Sequence, residues 1–289
     1  MKAIHFNLGG DLPVRRLGFG AMRLCGQPGN FGPYPDWEGG KRLIRRAVEL
    51  GVNFIDTAHA YGPGWNESLI GEALADISEP VVVATKGGVE KTAPDRVFPD
   101  GRPSQLRLRC EESLQRLRLE RIPLYQLHRP DPNVPFLESV GALAQLRAEG
   151  KIQHIGLSNV GVEQLEEAIQ IVPIASVQNR FNILERADSP VLDFCRARGI
   201  AYLPWGPLAA KPFAPEAPLT SDQRLSRIAG THAATESQIA LAWLLQHSGN
   251  VVLIPGTTSI AHLEENAAAL SVQLSHGDLH DLDALCEVG

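Results

Sequence analysis

The chain has 289 residues, 44% hydrophobic and 21% charged, which is ample material for a closed core and excludes a chain disordered throughout. A formal charge of −6 and a pI near 5.9 leave no general basic field for nucleic acid. No segment reaches the roughly 18 apolar residues of a membrane span, and MKAIHFNLGG lacks the apolar run of a signal peptide, so a cytoplasmic protein away from membranes is expected.

Taken in chain order, Ala3 to Arg16 reads as two short strands around Gly9-Gly10-Asp11, a hairpin expected to cap one end of the fold. Eight short apolar runs follow: LGFGAM from Leu17, NFIDTA from Asn53, VVVATK from Val81, PLYQLH from Pro123, IQHIGLS from Ile152, SVQNRFN from Ser176, AYLPW from Ala201 and VVLIP from Val251. Between them, KRLIRRAVELG, SQLRLRCEESLQRL and ESVGALAQLRAEG place apolar residues three or four apart and end in or near Gly, as helices do. Runs such as VVVAT and VVLIP are apolar on both faces, the pattern of a buried parallel sheet.

Eight parallel strands alternating with helices close a barrel, which predicts a (β/α)8 TIM barrel with an N-terminal β-hairpin cap, one domain over residues 1–289. An open doubly wound sheet is disfavoured, because residues 21–40 after the first strand hold no compact GxGxxG turn into a helix. The Pro/Gly-rich stretches 26–35, 87–103 and 204–218 then fall in loops after strands, on the face where barrels carry their chemistry.

Asp56 lies toward the end of the second run with Tyr61 in the loop beyond it, Lys86 ends the third, and His128 ends the fourth. Each alone has an ordinary structural explanation; together they form a proton-transfer device. A phenol with a pKa of about 10 is a poor acid near neutrality until a cation stabilises its phenolate. Lys86 supplies that cation, Asp56 holds it protonated, and His128 orients and polarises a carbonyl, leaving Tyr61 as the proton donor. Cys25, Cys110, Cys195 and Cys286 have neither redox-pair nor metal spacing, and His5, His59, His154, His232 and His247 show no ligand spacing either, so reduced thiols and no metal are expected.

The segment GVNFIDTAHAYGPGWNESLIGEAL from Gly51, with GKIQHIGLSNV from Gly150 and IPGTTSIAHLEENAAA from Ile254, resembles the aldo-keto reductase family over essentially the whole chain. Asp56, Tyr61, Lys86 and His128 match that family's tetrad in order and context. The resemblance implies hydride transfer from NAD(P)H to a small aldehyde or ketone, and the pattern is similar to the bacterial branch containing pyridoxal reductase-like enzymes. It also implies cofactor contacts: Gly20, Ala21 and Met22 at the edge of the nicotinamide pocket, Ser158, Asn159 and Gln178 on the carboxamide, and Trp205 against the ring. Gly206, Pro207 and Leu208 would cover the pyrophosphate.

Ile254, Pro255, Gly256, Thr257 and Thr258 lead to a helix start suited to phosphate, with Thr257 on the 2′-phosphate and Glu265 and Asn266 on adenine. Many NADP-preferring members have lysine where Gly256 stands and arginine where His262 stands, so NADPH is expected with NADH left open. Phe31, Trp37, Trp65, Phe98 and Phe213 are loop aromatics expected to wall the substrate pocket. The alternative is a nucleotide-binding regulatory protein resembling the potassium-channel β-subunits.

Overall fold

The computed structural model describes residues 4–208 and 222–286. Strands β1 (His5–Leu8) and β2 (Leu12–Arg15) pair antiparallel around Gly9 and Gly10, whose φ angles of 64° and 91° suit a tight reversal that side chains resist. The chain continues through β3 (Phe19–Gly20), α1 (Trp37–Glu49), β4 (Phe54–Asp56), α2 (Trp65–Leu74), β5 (Val82–Gly87), β6 (Val89–Ala93), β7 (Arg96–Pro99) and α3 (Pro103–Leu117). Then come β8 (Ile122–Leu127), α4 (Phe136–Ala148), β9 (Ile152–Ser158), α5 (Val162–Ala168), β10 (Ile174–Gln178), α6 (Ser189–Ala197) and β11 (Ala201–Tyr202). Helices α7 (Gln223–Thr231), α8 (Glu236–His247), α9 (Ile260–Ala268) and α10 (His276–Asp283) complete the described elements.

Seven strands form one parallel sheet in the order β3, β4, β5, β8, β9, β10, β11. Its two edges are joined by residues 251–253: Tyr202 bridges Val251 and Leu17 bridges Leu253, both parallel, which supplies the eighth stave of a (β/α)8 barrel. Behind this seam the buried Arg16 guanidinium donates to the carbonyls of Val251 at 2.9 Å and Leu245 at 2.8 Å, and also to that of Ser248. Inside the barrel, Phe54, Ala84, Leu124, Ala175, Ala201 and Val252 pack with Leu8 and Val14, so the hairpin plugs the bottom as its sequence predicts. Outside it, helices lay their apolar faces on the staves; Leu43, Ile44 and Ala47 of α1 recur at helical spacing and are buried.

The structure departs from the expectations in two places. The stretch 87–103, expected as a loop after a strand, contains the antiparallel hairpin β6–β7, paired from Val89↔Pro99 to Ala93↔Arg96. Among the aromatics expected in loops, Trp37 and Trp65 are the first residues of α1 and α2 and Phe98 lies in β7; only Phe31 is in a loop, and Phe213 lies outside the described residues. Trp37 and Trp65 meet edge to face at 6.1 Å, and the Trp37 indole donates to Glu72 at 2.9 Å, which ties α1 to α2.

Cys25, Cys110 and Cys195 are free and buried, and burial pushes each thiol up to about 12. Among the described residues no helix is long and apolar enough to cross a membrane, and no group of three His, Cys, Asp or Glu is placed to hold a metal ion.

Candidate active site

Side chains two residues apart on a strand share a face, so the parity that buries Phe54, Ala84 and Leu124 inside the barrel sends Asp56, Lys86 and Gln126 inward one step nearer the C-terminal rim. His128 follows β8 in the same parity, and its N–H is fixed to the carbonyl of Gly87 at 2.8 Å. Lys86 is fully buried, and its Nζ donates to Asp56 Oδ2 at 2.7 Å, to the carbonyl of Thr57 at 2.8 Å and to the Tyr61 hydroxyl at 3.5 Å. The other oxygen of Asp56 accepts from Gln178 Nε2 at 2.8 Å and from Gln126 Nε2 at 3.2 Å. Sequence reasoning missed Gln126, although an amide in the apolar run PLYQLH was a signal. Gly156 on β9 makes room for it, since a Cβ there would sit 2.8 Å from Gln126 Cγ.

The proton positions follow from these contacts. Burial alone would lower the Lys86 pKa, but the Asp56 carboxylate and the Tyr61 hydroxyl outweigh it, and the ammonium is held above its ordinary value. Burial raises the Tyr61 phenol; Lys86 pulls the other way without cancelling it, so the phenol keeps its proton at neutral pH. The expected acidifying effect of Lys86 is therefore present as an opposing influence, not as the net result. Burial, with the positive charges of Lys86 and Arg129, drives His128 well below its ordinary value. The neutral imidazole stands edge-on to the Tyr61 ring, centroids 5.8 Å apart, and its Nδ1 is buried with no protein hydrogen-bond partner.

A second buried network supports the Tyr61 loop. His59 N–H bonds the carbonyl of Lys86 at 3.0 Å, and Gly64 N–H returns to the carbonyl of His59 at 2.8 Å. Beneath them Arg116 reaches Glu67 Oε2 at 2.8 Å and His59 Nδ1 at 2.9 Å, while Thr85 donates to the other oxygen of Glu67, which is fully buried. Asn66 accepts from Thr57 Oγ1 and donates to the carbonyls of Ala21 and Leu24 at 2.8 and 2.7 Å, which anchors the loop after β3. These residues escaped the sequence reading. Their signal was the polar pair Asn66 and Glu67 in a helix whose apolar residues occur on all sides.

Around the rim, Ser158 Oγ donates to the carbonyl of Gln178 at 2.7 Å, and Asn159 Nδ2 reaches the carbonyl of His128 and Ser158 Oγ, both at 3.0 Å. The Trp205 indole donates to Asn159 Oδ1 at 3.2 Å, and the Arg180 guanidinium covers one face of its ring at 4.9 Å. Gly206, Pro207 and Leu208 continue from Trp205 along the rim, with the Gly206 carbonyl held by Asn182 at 3.1 Å. The strand ends carrying Gly20 and Gly256 approach closely: a Cβ at 256 would lie 2.6 Å from the carbonyl oxygen of Gly20, so a lysine there requires a backbone shift.

Beyond Ile254 and Pro255, Thr257 Oγ1 accepts from Ser259 N at 3.0 Å, and Ser259 caps α9. Thr258 and His262 are exposed beside that cap, Asn266 is buried, and Glu265 accepts from Thr235. The first-turn N–H groups of α9 and the hydroxyls before it are a donor set that suits phosphate oxygens. These donors, with the buried and unpartnered Nδ1 of His128, fit a nucleotide cofactor. Met22 is half-buried beside Ala21, while Phe31, Trp65 and Phe98 are exposed.

A sequence profile described as the aldo/keto reductase family matches residues 16–287. The chain is 40% identical over 291 aligned positions to pyridoxine 4-dehydrogenase of Escherichia coli, covering 99% of each sequence. A solved glycerol dehydrogenase of Gluconobacter oxydans superposes with a TM-score of 0.88 at 27% identity, covering 99% of this chain and 95% of the other. An aldo/keto reductase of Klebsiella pneumoniae, solved with NADP and acetate, gives 0.82 at 26% identity, with 98% and 95% covered.

Proposed function

The chain belongs to the aldo/keto reductase family, and from that premise we propose that it reduces a small aldehyde or ketone with NADPH, the whole chain acting as one catalytic barrel. The observation that carries this reading is the fully buried Lys86 ammonium, wedged between the Asp56 carboxylate and the Tyr61 hydroxyl. NADPH supplies the hydride to the carbonyl carbon. Ser158, Asn159 and Gln178 would hold the carboxamide, Gly20, Ala21, Met22 and Trp205 the nicotinamide ring, and Gly206, Pro207 and Leu208 the pyrophosphate. Residues 254–258 with His262 would take the ribose phosphate, and Glu265 with Asn266 the adenine. Phe31 and Phe98 would flank the substrate, with Trp65 at the mouth.

The protein side of the reaction follows from the proton positions. Neutral His128 donates to the carbonyl oxygen and fixes its direction. As that oxygen gains negative charge it takes the Tyr61 proton, and the developing phenolate is stabilised by Lys86, which Asp56 holds in its charged form. Because Lys86 contacts a phenol in one state and a phenolate in the other, its attraction grows along the reaction, which is the condition for lowering a barrier.

The test is oxidation of NADPH and of NADH against a panel of small aldehydes including pyridoxal, with Tyr61→Phe alongside. Turnover should be seen with NADPH, and the variant should lose about 10²–10⁴-fold in kcat with NADPH affinity nearly unchanged. Tight NADPH binding without turnover of any aldehyde, or a Tyr61→Phe enzyme as fast as the wild type, overturns the proposal.

A further inference from the structure

We propose that Asn179, oriented by Asp188 and Tyr202, is a positioning residue that fixes the geometry of Asn159 and thereby NADPH affinity; the inference rests on the reading of Asn159 as a carboxamide contact. Asn159 adopts the left-handed conformation, with φ of 59°, although it is not glycine. Its side chain touches two other segments, at the His128 carbonyl and the Trp205 indole, and Ser158 Oγ of its own. A small rotation of its backbone would shift all three contacts together, so whatever holds that backbone controls the cofactor side of the rim.

The Asn159 N–H donates to the carbonyl of Gln178 at 3.1 Å, and the peptide groups of the next residue, Val160, are held by one side chain. Val160 N–H donates to Asn179 Oδ1 at 3.2 Å, and Asn179 Nδ2 donates to the Val160 carbonyl at 2.8 Å, so the amide pairs with the peptide groups as a neighbouring strand would. Asn179 is buried at 4% exposure, and its own carbonyl accepts from Trp205 N–H at 2.9 Å, which places the clamp between the Asn159 loop and the Trp205 loop. An amide can be inserted in two orientations, and only one matches both Val160 groups. Asp188 selects it: the second N–H of Nδ2 meets Asp188 Oδ1 at 3.1 Å and Oδ2 at 3.0 Å, and a flipped amide would turn its oxygen toward that carboxylate.

Asp188 is itself committed to this task. It occupies the N-cap of α6, where an aspartate ordinarily bonds the helix N–H groups, yet its side chain makes no capping bond. The carboxylate turns instead to Asn179 and to the hydroxyl of the fully buried Tyr202. The chain Tyr202, Asp188, Asn179, Val160 thus forgoes a helix cap to fix the peptide beside Asn159.

The experiment measures NADPH dissociation constants by calorimetry, KM values for NADPH and aldehyde, and melting temperatures for Asn159→Ala, Asn179→Asp, Asn179→Asp with Asp188→Asn, and Asp188→Ala. Asn179→Asp opposes a carboxylate to Asp188 and to the Val160 carbonyl; NADPH affinity should fall about tenfold and the melting temperature should drop. The double variant relieves the like charges but leaves the Val160 carbonyl without its donor, so its melting temperature should recover while NADPH affinity stays weakened and the aldehyde KM is unchanged.

Asp188→Ala, which leaves the Val160 groups alone to orient the amide, should weaken NADPH in the same direction and is read in place of Asn179→Asp if that variant does not fold. Wild-type NADPH affinity in the double variant, or in Asp188→Ala, overturns the positioning role. If Asn159→Ala itself binds NADPH as tightly as the wild type, the carboxamide assignment falls and the inference falls with it. A weakened Asn159→Ala beside an unaffected double variant sinks the inference alone.

Discussion

The protons of Lys86, Tyr61 and His128 are each held in place by what surrounds them. Lys86 is held charged by Asp56, Tyr61 is held neutral by burial, and His128 is held neutral by burial and neighbouring cations. The sign of each shift fixes the pH response. Because the phenol is raised above its ordinary 10 and is needed protonated, carbonyl reduction should be level through neutral pH and decline only in the strongly alkaline range. Lys86→Met removes the influence that pulls the phenol down, so the alkaline limb should move to still higher pH while kcat falls about 10²-fold or more. A pH profile of kcat for the two proteins checks this; a limb that moved toward neutrality would contradict the assigned role of the ammonium.

Helices α2 and α3 meet over a charge pair that neither could bury alone. Glu67 has no exposed surface, and Arg116 is its ionic partner. Removing one member of such a pair leaves the other charged and dry, so Arg116→Met should cost about 3–5 kcal/mol of stability, with much of it returned by adding Glu67→Gln. Urea unfolding of both variants measures this; a single variant as stable as the wild type would show the pair to be dispensable. The elements themselves were legible in the sequence, because barrel strands read as apolar runs and the helices carry their period plainly. The placing of Asp56, Lys86 and His128 at strand ends was legible too, but not the parity that aims them inward, because runs apolar on both faces show no alternation. The partners of those residues were not legible either: Gln126 reaches Asp56 across 70 positions of sequence, and the hairpin β6–β7 buries the charged Glu90 and Lys91 while exposing Val97 and Phe98, the reverse of the usual apolar signal.

At the level of the whole molecule, the chemistry and the closure lie at opposite ends of the barrel. The tetrad occupies the C-terminal rim, whereas Arg16 ties the seam at the other end by donating to carbonyls of residues 245, 248 and 251. Arg16→Met leaves those carbonyls buried without their donor, and stability should fall by about 3 kcal/mol or more while NADPH affinity is retained in the folded protein. Chemical denaturation with parallel calorimetry tests the separation; loss of affinity in step with stability would show the two ends to be coupled.

The seam also sets an order of events in the cell. Arg16 and Val251 are 235 positions apart, and the first stave gains its second neighbour only when residues 251–253 have been made. Until then a nascent chain carries an open parallel sheet with two unpaired edges and apolar faces, the kind of intermediate that sticks to its neighbours. At ordinary elongation speeds of about 5–20 residues per second that exposure lasts many seconds, so chaperone occupancy during translation bears on yield more heavily than the finished barrel suggests.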